Sequence, residues 1–350
     1  MILATLRCFR MVYHGDKKGF FRFEWKRGEA PLALGTGVAI DPENYVTEKG
    51  IGTMKFRTVA ELVELAESEH LKISDVMLAH EATVFNRPEE DIFDEMGRNL
   101  DVMLEAIKRG LTEDIRSHSG LTGGDAKKIQ EYKRTAPVLL SGGTVLDAVS
   151  RATAVSEVNA AMGTIVATPT AGACGILPGT IATAAEKLGS DRETMIRGLF
   201  TAGAIGFCIA NNACISGAAG GCQAEVGSAT AMAAAAVVEM AGGTPSMSAE
   251  AVAIALKNML GLVCDPVAGL VEAPCVKRNA MGAAIAMVAA DMAMAGVKSV
   301  IPTDEVIDAM YKIGQSMPVA LRETALGGLA ATPTGRVLER QIFGTIDQKS

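Results

Sequence analysis

The chain has 350 residues, with 33 Lys and Arg against 40 Asp and Glu, a net charge of −7 and an isoelectric point near 5.3. That balance excludes a nucleic-acid surface, which needs clustered cations to neutralise phosphates, and an anionic substrate would depend on a local positive site. The hydrophobic fraction is 49% and the mean hydropathy +0.25, yet the most apolar stretches, 229–241 and 281–297, are only about 13 to 17 residues long, short of the roughly 18 a membrane span needs.

Glu239, Asp291 or glycine interrupts or ends those stretches, so buried helices packed through small side chains are expected and a membrane protein is not. Seven cysteines, an odd number, without the order of a signal peptide, point to a reducing compartment and a cytoplasmic protein.

Residues 1–53 differ from the rest. They hold Phe9, Tyr13, Phe20, Phe21, Phe23, Trp25 and Tyr45, are mildly basic and show no helical period. Met54 reads as the natural start, with 1–53 an appended, poorly ordered extension; the rival reading is a small β-rich appendage. The catalytic domain is expected over 54–335, with a tail over 336–350.

From Met54 the pattern is helical. Thr58-Val59-Ala60-Glu61 reads as a capping box, and Val59, Leu62, Val63 and Ala66 give one apolar stripe. Ser74 reads as the next N-cap, and Asn86-Arg87-Pro88 as a break. Pro88 fits the first position of a helix opening with Glu89, Glu90 and Asp91, whose charges suit the positive end of the helix dipole. Ile92, Met96, Leu100, Met103, Leu104 and Ile107 repeat at helical spacing, with Gly110 as the stop. The run Ser117-His118-Ser119-Gly120-Leu121-Thr122-Gly123-Gly124-Asp125 is an interhelical loop that could border a site.

After Val138 the composition shifts to Ala, Gly, Thr and Met. A long helix begins near Val145 and carries Glu157 and Asn159; Glu157 reads equally as a satisfied core carboxylate or a site residue. Ala167-Thr168-Pro169-Thr170-Ala171-Gly172-Ala173-Cys174-Gly175 is too rich in Pro and Gly for a helix interior. A loop entering a helix offers unpaired N–H groups to an anion, so Thr170 and Gly172 are candidates to hold a carboxylate.

Three cysteines stand out: Gly221-Cys222-Gln223-Ala224-Glu225, Cys264-Asp265-Pro266, and Pro274-Cys275-Val276-Lys277-Arg278-Asn279. The glycines before Cys222 let backbone approach something bulky. For Cys8, Cys174, Cys208 and Cys214 the reading is a buried apolar thiol. Zinc favours paired C-x2-4-C knuckles and four ligands, neither of which is present. Three thiols on a four-iron cluster leave one iron open to act as a Lewis acid.

The motifs A-T-P-T-A-G-A-C-G, N-A-C-I-S-G-A-A-G-G-C-Q-A-E-V-G and G-L-V-C-D-P-V-A-G-L-V-E-A-P-C-V-K-R-N are together specific. Through them the chain resembles the α chain, or α domain, of the bacterial iron–sulfur L-serine dehydratases, from about Met54 through residues 322–330. The resemblance implies an all-α bundle, a 4Fe-4S cluster held by Cys222, Cys264 and Cys275, and loss of water from L-serine to give pyruvate and ammonia. Cys214 stands where family members can carry serine.

Such an elimination needs a stabilised leaving hydroxide and a base for the Cα proton. Arg278 and Asn279 are candidates to hold the substrate carboxylate, and Asn212 and Ser216 the amino or hydroxyl group; Arg278 as a surface helix charge is the alternative. His70, His80 and His118 lie far in sequence from the cysteines, and His14 falls in the extension. The resemblance implies that the base and a Ser/His-rich loop come from a β part, so a two-chain enzyme is expected, with this chain binding the cluster and turning over poorly alone. Some fused relatives carry a tail cysteine, which Ile346-Asp347-Gln348-Lys349-Ser350 lacks. A cysteine desulfidase using the same iron, and a non-catalytic iron–sulfur sensor or electron carrier, remain as alternative functions. The lysine motif of a pyridoxal-phosphate dehydratase is absent.

Overall fold

The structure, a computed structural model, describes residues 54–344 and the backbone of Cys8–Phe9. The expectations for the extension and for the end of the tail otherwise lie outside the described residues. Strand β1 (Cys8–Phe9) pairs antiparallel with β2 (Ile165–Val166). Among the described residues the remaining regular elements are all helical, as the all-α reading requires.

Helices α1 (Val59–Ser68), α2 (Ile73–Phe85) and α3 (Glu89–Thr112) form the N-terminal part. The capping box is present: Glu61 N donates to Thr58 Oγ1 at 3.1 Å, and Thr58 N to the Glu61 carboxylate at 3.0 Å. Asp304 accepts the next two free N–H groups, of Val59 and Ala60, at 2.8 and 2.9 Å. Ser74 is not an N-cap. Asp75 supplies the acceptor instead, taking Lys72 N at 3.1 Å, so the helix begins earlier and Ser74 N donates to buried Glu239.

Pro88 lies one position before α3, whose predicted stripe is buried except for half-buried Leu104. Gly110 does not stop that helix, which runs on to Thr112. A Cβ at Gly110 would lie 2.4 Å from Ala154 O. Glycine is there to let α3 meet α5 (Gly143–Ala160) closely.

Helix α4 (Asp125–Thr135) follows the Ser/Gly loop, and its cap answers the question about Glu157. Glu157, fully buried on α5, accepts Asp125 N at 2.6 Å and Ala126 N at 3.4 Å. It is a core carboxylate that satisfies the start of α4. Burial raises its pKa, and the two N–H groups offset part of that.

Helices α6 (Ile176–Leu188), α7 (Arg192–Asn212), α8 (Gly217–Gly220), α9 (Ser228–Met240), α10 (Pro245–Lys257), α11 (Cys275–Met294), α12 (Thr303–Ser316) and α13 (Pro333–Phe343) complete the bundle. Helix α13 runs across the expected boundary between domain and tail. Helix α9 is the axis: every residue from Ser228 to Glu239 is buried, and it packs against α6, α7, α10 and α11. Its alanines let four neighbours come close at once, so cohesion comes from dense packing of small groups. By length and composition α7 is apolar enough to cross a membrane, with mean hydropathy 1.2, but 67% of that window is buried and it is packed as a core helix.

Candidate active site

The three predicted cysteines come from separate segments, each fixed by its neighbours. Cys222 precedes a π-helical turn, Gln223–Gly227, that leads into α9. Gln223 N donates to Leu262 O at 2.9 Å, and its side chain bridges Gly261 N and Met310 O at 2.8 and 2.9 Å. Cys264 is gripped on both sides of its backbone: its N–H donates to Leu321 O at 2.8 Å and its carbonyl accepts Glu323 N at 2.7 Å. Cys275 is the first residue of α11. Asn279, one turn on, donates to Cys275 O at 2.9 Å and Gly172 O at 2.6 Å while accepting Gly175 N at 2.9 Å.

These contacts converge the thiols in the interior, where Cys222, Cys264 and Cys275 are 1%, 2% and 6% exposed. The ligand atoms of Cys222, Glu225 and Cys264 lie within 4.8 Å of one another, a group able to hold a metal ion. Cys275 is close enough for the charges of Cys222 and Glu225 to act on its thiol. Gly217 faces the same point: a Cβ there would sit 2.9 Å from Cys264 Sγ, 3.2 Å from Glu323 Oε2 and 3.3 Å from Glu225 Oε2. A side chain at Gly217 would have to displace these groups.

The pocket resists negative charge unless a cation is present. A hydrogen bond with Cys222, then burial, pushes the Cys264 thiol far up, and burial pushes Cys275 up likewise. Burial also pushes Glu225 up to about 7, offset in part by the Thr170 hydroxyl that donates to it. Burial works against the Arg278 charge, but Cys222 and Asp265 beside it outweigh that and raise its pKa. Arg278 is the cation acting on Cys275 and Glu225, and ionising the buried thiols would call for further positive charge. Clustered buried thiols of this kind are a soft donor set suited to iron or zinc.

The other predicted residues fall into two groups. Thr170, Gly172 and Ser216 border the site: Thr170 donates to Glu225, a Cβ at Gly172 would lie 2.5 Å from Glu225 Oε1, and Ser216 precedes Gly217 at the start of α8. Arg278 and Asn279 are also at the site but are engaged with protein. Arg278 donates to Val263 O and to Asp265, both at 2.8 Å, so it is a half-buried structural cation rather than a surface helix charge. All of Asn279's bonds described above hold backbone. Asn212 is exposed at the end of α7, its amide donating to Arg57 O and Cys208 O. Of the cysteines read as buried apolar thiols, Cys174 and Cys208 are buried and Cys214 is half-buried.

Sequence reasoning gave no role to Glu225, Asp265, Glu272 or Glu323. Three of them carried a signal, since each stands within three residues of a site cysteine. Glu272 accepts from Ser119 at 2.8 and 2.9 Å and from Thr122 at 3.1 Å, which ties the Ser/Gly loop to the segment leading into Cys275. Glu323 carried none: a left-handed residue (φ 62°) distant in sequence, it reaches the site through its backbone bond to Cys264.

A family model described as serine dehydratase alpha chain matches residues 68–330. The chain is 68% identical over 289 residues to the "Probable L-serine dehydratase, alpha chain" of Bacillus subtilis, covering 83% of this chain and 96% of that one. It is 44% identical over 286 residues to the L-serine dehydratase alpha chain of Peptoniphilus asaccharolyticus, covering 82% and 98%. It is 40% identical over 299 residues to the L-serine dehydratase of Streptomyces coelicolor, covering 83% of this chain and 64% of that longer one. The chain therefore belongs to the serine dehydratase alpha-chain family.

Proposed function

We propose that this chain is the α subunit of a cytoplasmic iron–sulfur L-serine dehydratase that converts L-serine to pyruvate and ammonia. The observation that carries the proposal is the meeting of Cys222, Cys264 and Cys275, from three separate segments, beside Glu225. The residues fit a cluster: three thiols are buried close together, and ionising them calls for positive charge. When bound there, a 4Fe-4S cluster with three cysteine ligands supplies a Lewis-acidic iron that stabilises the leaving hydroxide.

The chain's own residues build and tune the walls. Arg278 offsets thiolate charge while locking Val263 and Asp265 in place. Asn279 fixes the 172–175 turn to Cys275. Thr170, Gly172 and Ser216 border the substrate space. The base that takes the Cα proton is assigned to a β chain. Support comes from relatives named as alpha chains and from the Streptomyces enzyme, more than a third of which lies beyond the match.

The test is anaerobic reconstitution of this chain with and without a β-type partner, measuring pyruvate from L-serine and L-cysteine. Pyruvate from L-serine, dependent on the partner, supports the proposal. Pyruvate and sulfide from L-cysteine with none from L-serine would replace it with a desulfidase.

A further inference from the structure

We propose that the Glu225 carboxylate accepts the substrate's α-ammonium group, and so selects β-hydroxy-α-amino acids over β-hydroxy acids lacking the amine. This rests on the serine dehydratase reading and assigns one subsite within it.

Glu225 is buried on the π-helical turn after Cys222. Thr170 donates to one of its oxygens. Among the described residues no ion pair reaches it, and the fork of Arg278, the cation acting on it, is engaged by Val263 O and Asp265. A buried carboxylate without a cation is costly to keep. Such a group is retained where a cation arrives with a ligand.

Two segments meet it through glycine, with no side chain between. A Cβ at Gly172 would meet Glu225 Oε1 at 2.5 Å, and one at Gly217 would meet Oε2 at 3.3 Å. Beyond Gly217, Glu323 points Oε2 at the same face, 3.2 Å from that Cβ position, while its backbone is tied to Cys264. Two carboxylates therefore converge on Gly217 beside Cys264. Serine enters with its amine protonated, and an ammonium with three N–H donors suits oxygens arriving from two sides.

Two other roles for Glu225 predict different behaviour. As an iron ligand, suggested by its closeness to Cys222 and Cys264, its loss would lower iron content. As the base, its loss would remove turnover while leaving KM little changed.

The experiment uses the complex reconstituted with its β-type partner and compares wild type, Glu225→Gln and Thr170→Val. It measures iron content, kcat and KM for L-serine, and the inhibition constant of 3-hydroxypropanoate, which is serine without the amine. For Glu225→Gln, KM is expected to rise roughly tenfold to a hundredfold, the range of a charge-assisted hydrogen bond, with iron unchanged and the inhibition constant within about twofold. Thr170→Val, which leaves the carboxylate but removes its tether, should raise KM less, with the same indifference of 3-hydroxypropanoate. A parallel rise of KM and inhibition constant, loss of iron, or a collapse of kcat at constant KM would each overturn the assignment. Wild type that turns over L-serine beside a Glu225→Gln complex with unchanged KM defeats this subsite alone. Wild type that makes no pyruvate from L-serine defeats the dehydratase reading and the subsite with it.

Discussion

Arg278 and Asp265 form a buried ion pair at 2.8 Å, their side chains 16% and 4% exposed, in the segments that carry Cys275 and Cys264. The pair joins the helix bearing one thiol to the loop bearing another, and Leu329 N adds a 2.7 Å bond to the same aspartate. Arg278→Met leaves the carboxylate buried without its cation. The cluster-free chain should lose about 3–5 kcal/mol of unfolding free energy, read from denaturant midpoints. A loss under about 1 kcal/mol would show a pair as weak as a surface one.

Gly110 sets helix propensity against packing. Alanine is favoured over glycine in a helix interior by about 1 kcal/mol, but here its Cβ would lie 2.4 Å from the backbone oxygen of Ala154, which cannot swing aside as a side-chain tip would. Packing should win, and Gly110→Ala should destabilise the chain by about 1–3 kcal/mol. Stabilisation in a thermal melt would mean that α3 and α5 separate easily.

Glu239 contributes a pH dependence far from the cysteines. Burial raises its pKa above the usual carboxylate range in the folded chain, with hydrogen bonds from Ser74 and Thr201 opposing. A carboxyl raised on folding favours the native state fully below its unfolded pKa, and that contribution is lost as pH rises through the folded value. Glu239→Gln should therefore shrink the fall in stability between about pH 5 and pH 8. An identical pH profile for the variant would show that Glu239 titrates alike in both states.

Glu272 holds the Ser/Gly loop through Ser119 and Thr122. With Glu272→Ala those hydroxyls lose their acceptor, and amide exchange over residues 117–124 should speed up roughly tenfold or more. Unchanged exchange would mean that the bond from Ser117 N to Thr122 O suffices to hold the loop.

The helical class and most of the α3 stripe were legible because they depend on local periodicity, and the three cysteines were singled out by the motifs that carry the family resemblance. Gly110 misled because a helix stop and a close helix crossing need the same residue, and only tertiary structure separates them. Ser74 misled because Asp75, one position on, supplies the stronger acceptor. Arg278 and Asn279 were placed at the site from their nearness to Cys275, but sequence could not show that Asp265, Gly172 and Gly175 engage them. Glu323 was invisible, since a backbone bridge to Cys264 leaves no pattern along the chain.

The central claim is that Cys222, Cys264 and Cys275 together hold an iron–sulfur cluster, and iron and sulfide content after anaerobic reconstitution tests it most directly. Wild type should bind about four iron and four sulfide per chain, Cys174→Ala and Cys208→Ala should match it, and Cys222→Ser, Cys264→Ser and Cys275→Ser should each lose most of the cluster. Full iron and sulfide content in all three site variants would contradict the account.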